Sequence, residues 1–223
     1  MPPYSTQRIT RDNKGEDMSI FKTVLFDWEG VMGAQDTESF GWLMNRPPKE
    51  YDVTREQAVA ALGACIGDFM IGKINNQEFW KRVGERLGVT FTDEFQETIW
   101  QDWHGAEPIP EMEALVQEVK AMGLRVVVFS NILPTSAAKV REIAGYEGFD
   151  AELLSCEVGV RKPDPAIYGL AVQVAKCLPA ECIFIDDKEK NLLPARNLGM
   201  TTILAVDTDQ VRRDLLNLIQ TSR

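Results

Sequence analysis

Hydrophobic positions along the chain follow two patterns. At Thr23-Val24-Leu25-Phe26 the residues are apolar or β-branched without alternation, and the run ends at Asp27, followed by Trp28-Glu29-Gly30-Val31. An unbroken apolar run closed by polar residues and a glycine predicts a strand buried on both faces, hence a central strand of a parallel sheet. The pattern recurs where Val126-Val127-Val128-Phe129 runs into Ser130-Asn131, and where Cys182-Ile183-Phe184-Ile185 runs into Asp186-Asp187. Shorter strands are predicted at 151–154 and 201–206. Between these runs the apolar spacing is helical. In 111–122 the positions Met112, Leu115, Val116, Val119 and Met122 share one face, and Gly123 ends the segment. Further helices are predicted at 134–144, at 164–176 with Pro165 in the first turn, at 189–198 with Gly199 as C-cap, and from about 208 onward. Strands alternating with helices predict βαβ crossovers and an α/β fold, a Rossmann-like parallel sheet sandwiched by helices.

Residues 33–108 break this alternation. Strand-like runs are missing, and helical patterns fall near 54–67, 75–88 and 92–103, with Thr54, Asn75 or Asn76, and Thr92 as candidate N-caps. Trp42, Phe69, Phe79, Trp80, Phe95, Trp100 and Trp103 supply apolar bulk for a small helical core, and a few of them, or Trp42 and its neighbours, are candidates for facing a substrate. This segment is expected to be an inserted all-helical cap. The core is expected over 20–32 and 109–223, and residues 1–19, polar and aperiodic, are expected to form a flexible tail.

A net charge of −10 disfavours nucleic acid or an anionic membrane surface as partner, because there is no basic surplus to neutralise phosphates. No apolar run approaches the roughly 20 residues needed to span a bilayer, and the N-terminus lacks the apolar stretch of a signal peptide. Cys65, Cys156, Cys177 and Cys182 have no zinc-site spacing, so free thiols and a cytoplasmic location are expected. The single histidine, His104, excludes a His-rich metal site; it lies where the insert returns to the core and is expected to be structural or solvent-facing, with substrate contact as the alternative.

Parallel strands bring their carboxyl ends to one edge of the sheet, where open α/β sheets bind ligands. Asp27, Ser130-Asn131 and Asp186-Asp187 meet there. So does Lys162, which precedes a helix start in Gly159-Val160-Arg161-Lys162-Pro163-Asp164-Pro165. Taken singly, Asp27 and Ser130-Asn131 read as turn residues, Lys162 as a surface lysine and Asp186-Asp187 as a helix N-cap pair. Together they are a different proposition. Two acidic clusters repel unless a cation joins them, and oxygen donors suit Mg²⁺. A lysine and a hydroxyl beside that cation match a phosphoryl group. Asp27 is then the candidate nucleophile, and Glu29 the candidate acid and base. Gly30 lets the backbone turn closely around the bound group.

In this order the four segments resemble the four motifs of the haloacid dehalogenase-like hydrolase superfamily, across nearly the whole chain from about residue 20. The insert resembles the helical cap of the subgroup whose cap lies between motifs one and two. The stretch Ile185-Asp186-Asp187-Lys188-Glu189-Lys190-Asn191-Leu192-Leu193-Pro194-Ala195-Arg196 is similar to the phosphatase-like domain of soluble epoxide hydrolases and to bacterial sugar-phosphate phosphatases. The resemblance implies a Mg²⁺-dependent phosphatase that acts on a small phosphorylated metabolite, a sugar phosphate among the candidates, through an aspartyl-phosphate. It implies Asp27 as nucleophile and metal ligand, and Glu29 as acid/base with its backbone carbonyl on the metal. Ser130 and Asn131 would hold phosphate oxygens, with Gly30 at the substrate, and Lys162 would neutralise charge. Asp187 would ligate the metal with Asp186 beside it, and Asn191 would orient these groups. Glu29 stands where most of these phosphatases carry Asp; the enolase-phosphatase branch also carries Glu. Trp28, bulkier than the usual aliphatic residue, is expected to pack under the cap. The alternatives are a 2-haloacid dehalogenase, against which the acidic pair argues, and a catalytically impaired binding protein of the same fold. Monomer and homodimer both stay open.

Overall fold

The computed structural model describes residues 20–34, 51–99, 107–143 and 145–222. The first apolar run forms β1 (Thr23–Phe26). After it come three helices, α1 (Arg55–Met70), α2 (Asn76–Leu87) and α3 (Asp93–Thr98). The alternating part follows as α4 (Pro110–Ala121), β2 (Arg125–Ser130), α5 (Pro134–Glu142), β3 (Ala151–Leu154) and the single turn α6 (Ser155–Val158). It continues through α7 (Pro165–Ala175), β4 (Cys182–Asp186), α8 (Glu189–Leu198), β5 (Thr201–Leu204) and α9 (Thr208–Thr221). Trp42, Trp100, Trp103, His104 and the N-terminal segment 1–19 lie outside the described residues, as does Ala144, the expected end of α5. Among the described residues no helix is long and apolar enough to cross a membrane.

The five strands pair in the order β3-β2-β1-β4-β5, all parallel. β1 is therefore central, as its unbroken apolar run predicts, and β2 and β4 flank it. Alternate residues along the strands feed two apolar layers. Val24, Phe26, Val126, Val128, Ile183 and Ile185 pack with α4 and α9. Leu25, Val127, Phe129 and Phe184 pack with α7 and α8 on the other face. Each such fully buried side chain contributes roughly 1.5–3 kcal/mol, so a one-residue slip of β1 would reverse both layers.

Register carries the site. Phe26 is level with Val128 on one side and Ile185 on the other, so the next residues, Asp27, Phe129 and Asp186, stand abreast at the carboxyl edge, with Ser130 one step further along β2. The Asp27 N–H donates to the Ile185 carbonyl at 2.9 Å, which extends the ladder one step past the strand.

Trp28 is fully buried in the core, edge-to-face on Tyr146 with ring centroids 4.8 Å apart and close to Phe149 at 6.5 Å. Its amide lies next to Asp27, but its side chain turns into the apolar layer, where an indole gains more by burial than a smaller residue would.

Helices α1–α3 bury their own cluster around Phe69, Phe79, Trp80, Val83 and Phe91. Thr54, Asn75 and Thr92 each accept a hydrogen bond from a backbone N–H in the first turn of the helix that follows. The end of α1 sits on the carboxyl edge of the sheet. Ser155 Oγ donates to the Met70 carbonyl at 2.8 Å and accepts from the Ile132 N–H at 3.0 Å. Gly72 lies so close to Cys156 that an added Cβ would meet its carbonyl oxygen at 1.9 Å.

Candidate active site

Asp27 leaves the sheet into a tight turn in which the Val31, Met32 and Gly33 amides all donate to the Trp28 carbonyl. Its own Oδ1 accepts from the Trp28 amide at 2.8 Å, which fixes the carboxylate against the strand end. The carboxylate is almost wholly buried. Burial pushes its pKa up to about 7; the Lys162 ammonium opposes that rise and the Asp186 charge adds to it.

Lys162 reaches this carboxylate from the segment before α7. Its side chain is completely buried, and Nζ lies 3.0 Å from Asp27 Oδ1 and 2.6 Å from Asp186 Oδ2. Nζ also donates to the Phe129 carbonyl at 2.8 Å, and it lies 5.0 and 5.2 Å from the Phe129 and Phe184 ring centroids. A buried ammonium is sustained only where its donors are satisfied and anions face it, and both conditions hold here. The Lys162 backbone is held as well. Asn131 Nδ2 donates to the Lys162 carbonyl and Asn131 Oδ1 accepts the Lys162 amide, both at 2.8 Å. The Asn131 side chain thereby positions Lys162 through both of its polar atoms.

Asp186 is similarly committed. Oδ1 accepts from the Lys188 amide at 2.8 Å, and Asn191 Nδ2 reaches Oδ1 and Oδ2 at 2.9 and 3.1 Å. The Tyr168 hydroxyl donates to the Asn191 carbonyl, tying α8 to α7 behind the site. Asp187 faces the opposite way, onto Gly30. A Cβ at Gly30, whose φ is +80°, would lie 2.9 Å from Asp187 Oδ2, so a larger residue would fill the space that this carboxylate occupies. Lys188 Nζ pairs with Asp187 Oδ1 at 3.4 Å. Burial lowers the Lys188 pKa, but the charges of Asp187, Asp27 and Glu29 more than offset this and raise it. Glu29 is half-buried in the turn after Asp27, bridged to Gly33.

Asp27, Asp186 and Asp187 each place a carboxylate oxygen within 4.8 Å of the others, the one such cluster among the described residues. Beside it Ser130 Oγ and Asn191 Oδ1 are buried without a hydrogen-bond partner. A buried hydroxyl left unsatisfied at a strand end is a place for a ligand atom. The structure thus brings Asp27, Gly30, Ser130, Asn131, Lys162, Asp186, Asp187 and Asn191 to one edge, with Glu29 in the turn above them. Lys188 and Tyr168 belong to the same assembly but are absent from the sequence-derived set. A cation directly after an acidic pair was a usable signal for Lys188. Tyr168 reads as an ordinary apolar-face residue of α7, and nothing local marks its hydroxyl.

Comparison with known proteins bears on this geometry. The haloacid dehalogenase-like hydrolase profile matches residues 21–199. A sesquiterpene phosphatase from Aspergillus oryzae is 27% identical over 207 residues, covering 90% of this chain and 98% of that protein. Bifunctional epoxide hydrolase 2 from Sus scrofa is 49% identical over 67 residues, which span 30% of this chain but only 12% of that protein. A HAD family enzyme from Bacteroides thetaiotaomicron, solved in complex with magnesium and inorganic phosphate, superposes with a TM-score of 0.64 at 22% identity, covering 84% of this chain and 96% of that one; this likeness concerns the fold. The profile match takes in Asp27, Ser130, Lys162 and Asp186-Asp187 together, on a five-stranded parallel sheet that sets them at one edge, and the chain belongs to the haloacid dehalogenase-like hydrolase family.

Proposed function

We infer that the protein is a phosphatase that hydrolyses a small phosphate monoester through an aspartyl-phosphate at Asp27, with Mg²⁺ as cofactor. The observation that carries this reading is the buried Asp27 carboxylate at the end of the central strand, ion-paired to Lys162 and clustered with Asp186 and Asp187. The donor set fits Mg²⁺: hard carboxylate oxygens, no sulfur or imidazole, and a glycine where a Cβ would intrude. Asp27, Asp187 and the Glu29 backbone carbonyl would hold the ion, and Asp186 would add charge while anchoring Lys162. When bound, Mg²⁺ supplies charge to offset that of the transferring phosphoryl oxygens.

The chain's own residues account for the remaining chemistry. An Asp27 carboxylate oxygen attacks phosphorus as the ester oxygen departs, and Glu29 gives that oxygen its proton. Glu29 then takes a proton from the water that cleaves the acyl phosphate, which restores Asp27 and releases phosphate. Lys162 opposes the burial-driven rise of the Asp27 pKa and balances phosphoryl charge. Ser130 Oγ and the Asn131 main chain face the phosphate oxygens, and Asn191 holds Asp186 in place. The helices within 33–108 form a cap over this edge, with α1 anchored at Ser155. A relative that matches this chain nearly end to end is a phosphatase, and the Bacteroides structure holds magnesium with phosphate.

The test is phosphate release from a panel of phosphate monoesters, sugar phosphates included, with Mg²⁺ and with EDTA, for the wild type and Asp27→Asn. Metal-dependent turnover that disappears in Asp27→Asn is the expected result. Turnover that persists in EDTA, or in Asp27→Asn, overturns the assignment.

A further inference from the structure

At the opposite end of β4 from the acidic cluster, two cysteines meet. Cys177 follows α7, and Cys182 opens β4. Their sulfurs are 3.3 Å apart. The backbone between them is clamped into one turn of 3₁₀ helix, Pro179–Glu181. Leu178 N–H donates to Glu181 Oε2 at 2.8 Å, Glu181 N–H donates to the Leu178 carbonyl at 2.9 Å, and Lys22 pairs with Glu181 at 2.6 Å. The two sulfurs are therefore held together by a fixed loop rather than meeting by chance. Closing the gap to a covalent bond needs a shift of about 1.2 Å, within reach of side-chain rotation. The two differ in access: Cys182 is fully buried and Cys177 is half-buried. Cys65 in α1 and Cys156 in α6 lie elsewhere in the fold.

We propose that Cys177 and Cys182 are a redox-active dithiol, which a peroxide converts to an intramolecular disulfide. The accessible Cys177 thiol gives its proton to solvent as its sulfur attacks the peroxide: an S–O bond forms, the O–O bond breaks, and the departing hydroxide takes a proton from solvent and leaves as one water, with Cys177 now a sulfenic acid. The Cys182 sulfur then attacks the Cys177 sulfur: the S–S bond forms, the S–O bond breaks, and the departing hydroxide takes the Cys182 proton as a second water. Two thiols supply the two electrons that reduce the peroxide, and a small dithiol reverses the change. Burial raises the Cys182 thiol, which keeps it protonated and makes it the resolving rather than the attacking partner.

The test treats the folded full-length chain with graded hydrogen peroxide, traps the remaining thiols by alkylation and reads the product by mass spectrometry. Two of the four thiols are expected to disappear with a loss of about 2 Da. A cross-linked peptide should join Cys177 to Cys182, and dithiothreitol should restore both thiols. In Cys182→Ser, Cys177 should stop at sulfenic or sulfinic acid; in Cys177→Ser, Cys182 should stay reduced. The same treatment in urea should form the cross-link at least tenfold more slowly. Four intact thiols, a cross-link to Cys65 or Cys156, or equal rates in folded and unfolded chain each overturn the proposal.

Discussion

Replacing Lys162 by Met removes one charge and little volume, because the thioether occupies the place of the lysine stem between Phe129 and Phe184. It leaves Asp27 and Asp186 buried without their cation. The ammonium lies 3.0 Å from one carboxylate and 2.6 Å from the other. At an effective dielectric constant of about 20, each contact corresponds to roughly 5–6 kcal/mol before desolvation is counted. Desolvation of three buried ions offsets most of that, and removing one partner of a buried pair typically costs about 3–5 kcal/mol. With a urea slope of about 2 kcal/mol per M, the unfolding midpoint of Lys162→Met should fall by roughly 1.5–2.5 M at pH 8 in EDTA. Two controls separate charge from packing. The Lys162 charge holds the Asp27 pKa down, so its loss raises that pKa further, and the deficit should shrink as pH falls and Asp27 protonates. The double variant Lys162→Met/Asp186→Asn should recover about 1 kcal/mol or more relative to Lys162→Met, since it buries one anion fewer. A deficit below about 1 kcal/mol that is flat in pH would refute the argument that Lys162 holds the two carboxylates in place.

Three further outcomes follow from the geometry. Gly30→Ala places a Cβ against Asp187 Oδ2 at a φ of +80°, so it should cost about 1–2 kcal/mol and weaken Mg²⁺ binding about tenfold; unchanged affinity by titration calorimetry would contradict the contact. Lys188→Met removes a cation 3.4 Å from Asp187, so Mg²⁺ should bind a few-fold more tightly, and the gain should fade with added salt because Lys188 is partly exposed. Without metal, the raised Asp27 pKa means that the folded state holds a proton the unfolded chain releases. That stabilisation is complete below about pH 3.8 and is lost as pH rises through about 7. In EDTA the wild type should therefore lose stability relative to Asp27→Asn between pH 5 and 8, as read from urea midpoints; parallel curves would contradict the burial argument.

Sequence patterns revealed those features that depend on neighbouring residues. Unbroken apolar runs marked β1, β2 and β4, and the polar residues that ended them marked the site. Thr54, Asn75 and Thr92 were legible as caps because a cap is a local contact between a side chain and the next turn. What stayed hidden depends on partners far along the chain. The Asn131 side chain finds its partners at Lys162, the Trp28 ring finds Tyr146, and the Tyr168 hydroxyl finds the Asn191 carbonyl. Asp186 and Asp187 are adjacent and chemically identical, yet one anchors Lys162 and the other faces Gly30. That division follows from β4 ending at Asp186, with Asp187 in the bend beyond it, and from which elements pack on each side.

The chain departs into the helical segment at Gly33 and comes back at Pro108, and these two residues are bridged to each other, with the Ile109 N–H donating to the Met32 carbonyl at 2.7 Å. Departure and return are thus stitched together at a single point on the rim. Everything between them is a detour that the sheet ladder does not need to close. The entropic cost of such a detour grows only slowly, by roughly 0.6 kcal/mol for each doubling of its length. Natural variation or a designer can therefore lengthen, trim or transplant the helical segment as a cassette while the catalytic edge keeps its register. In this architecture the helical segment and the acidic edge of the sheet are free to change at different rates.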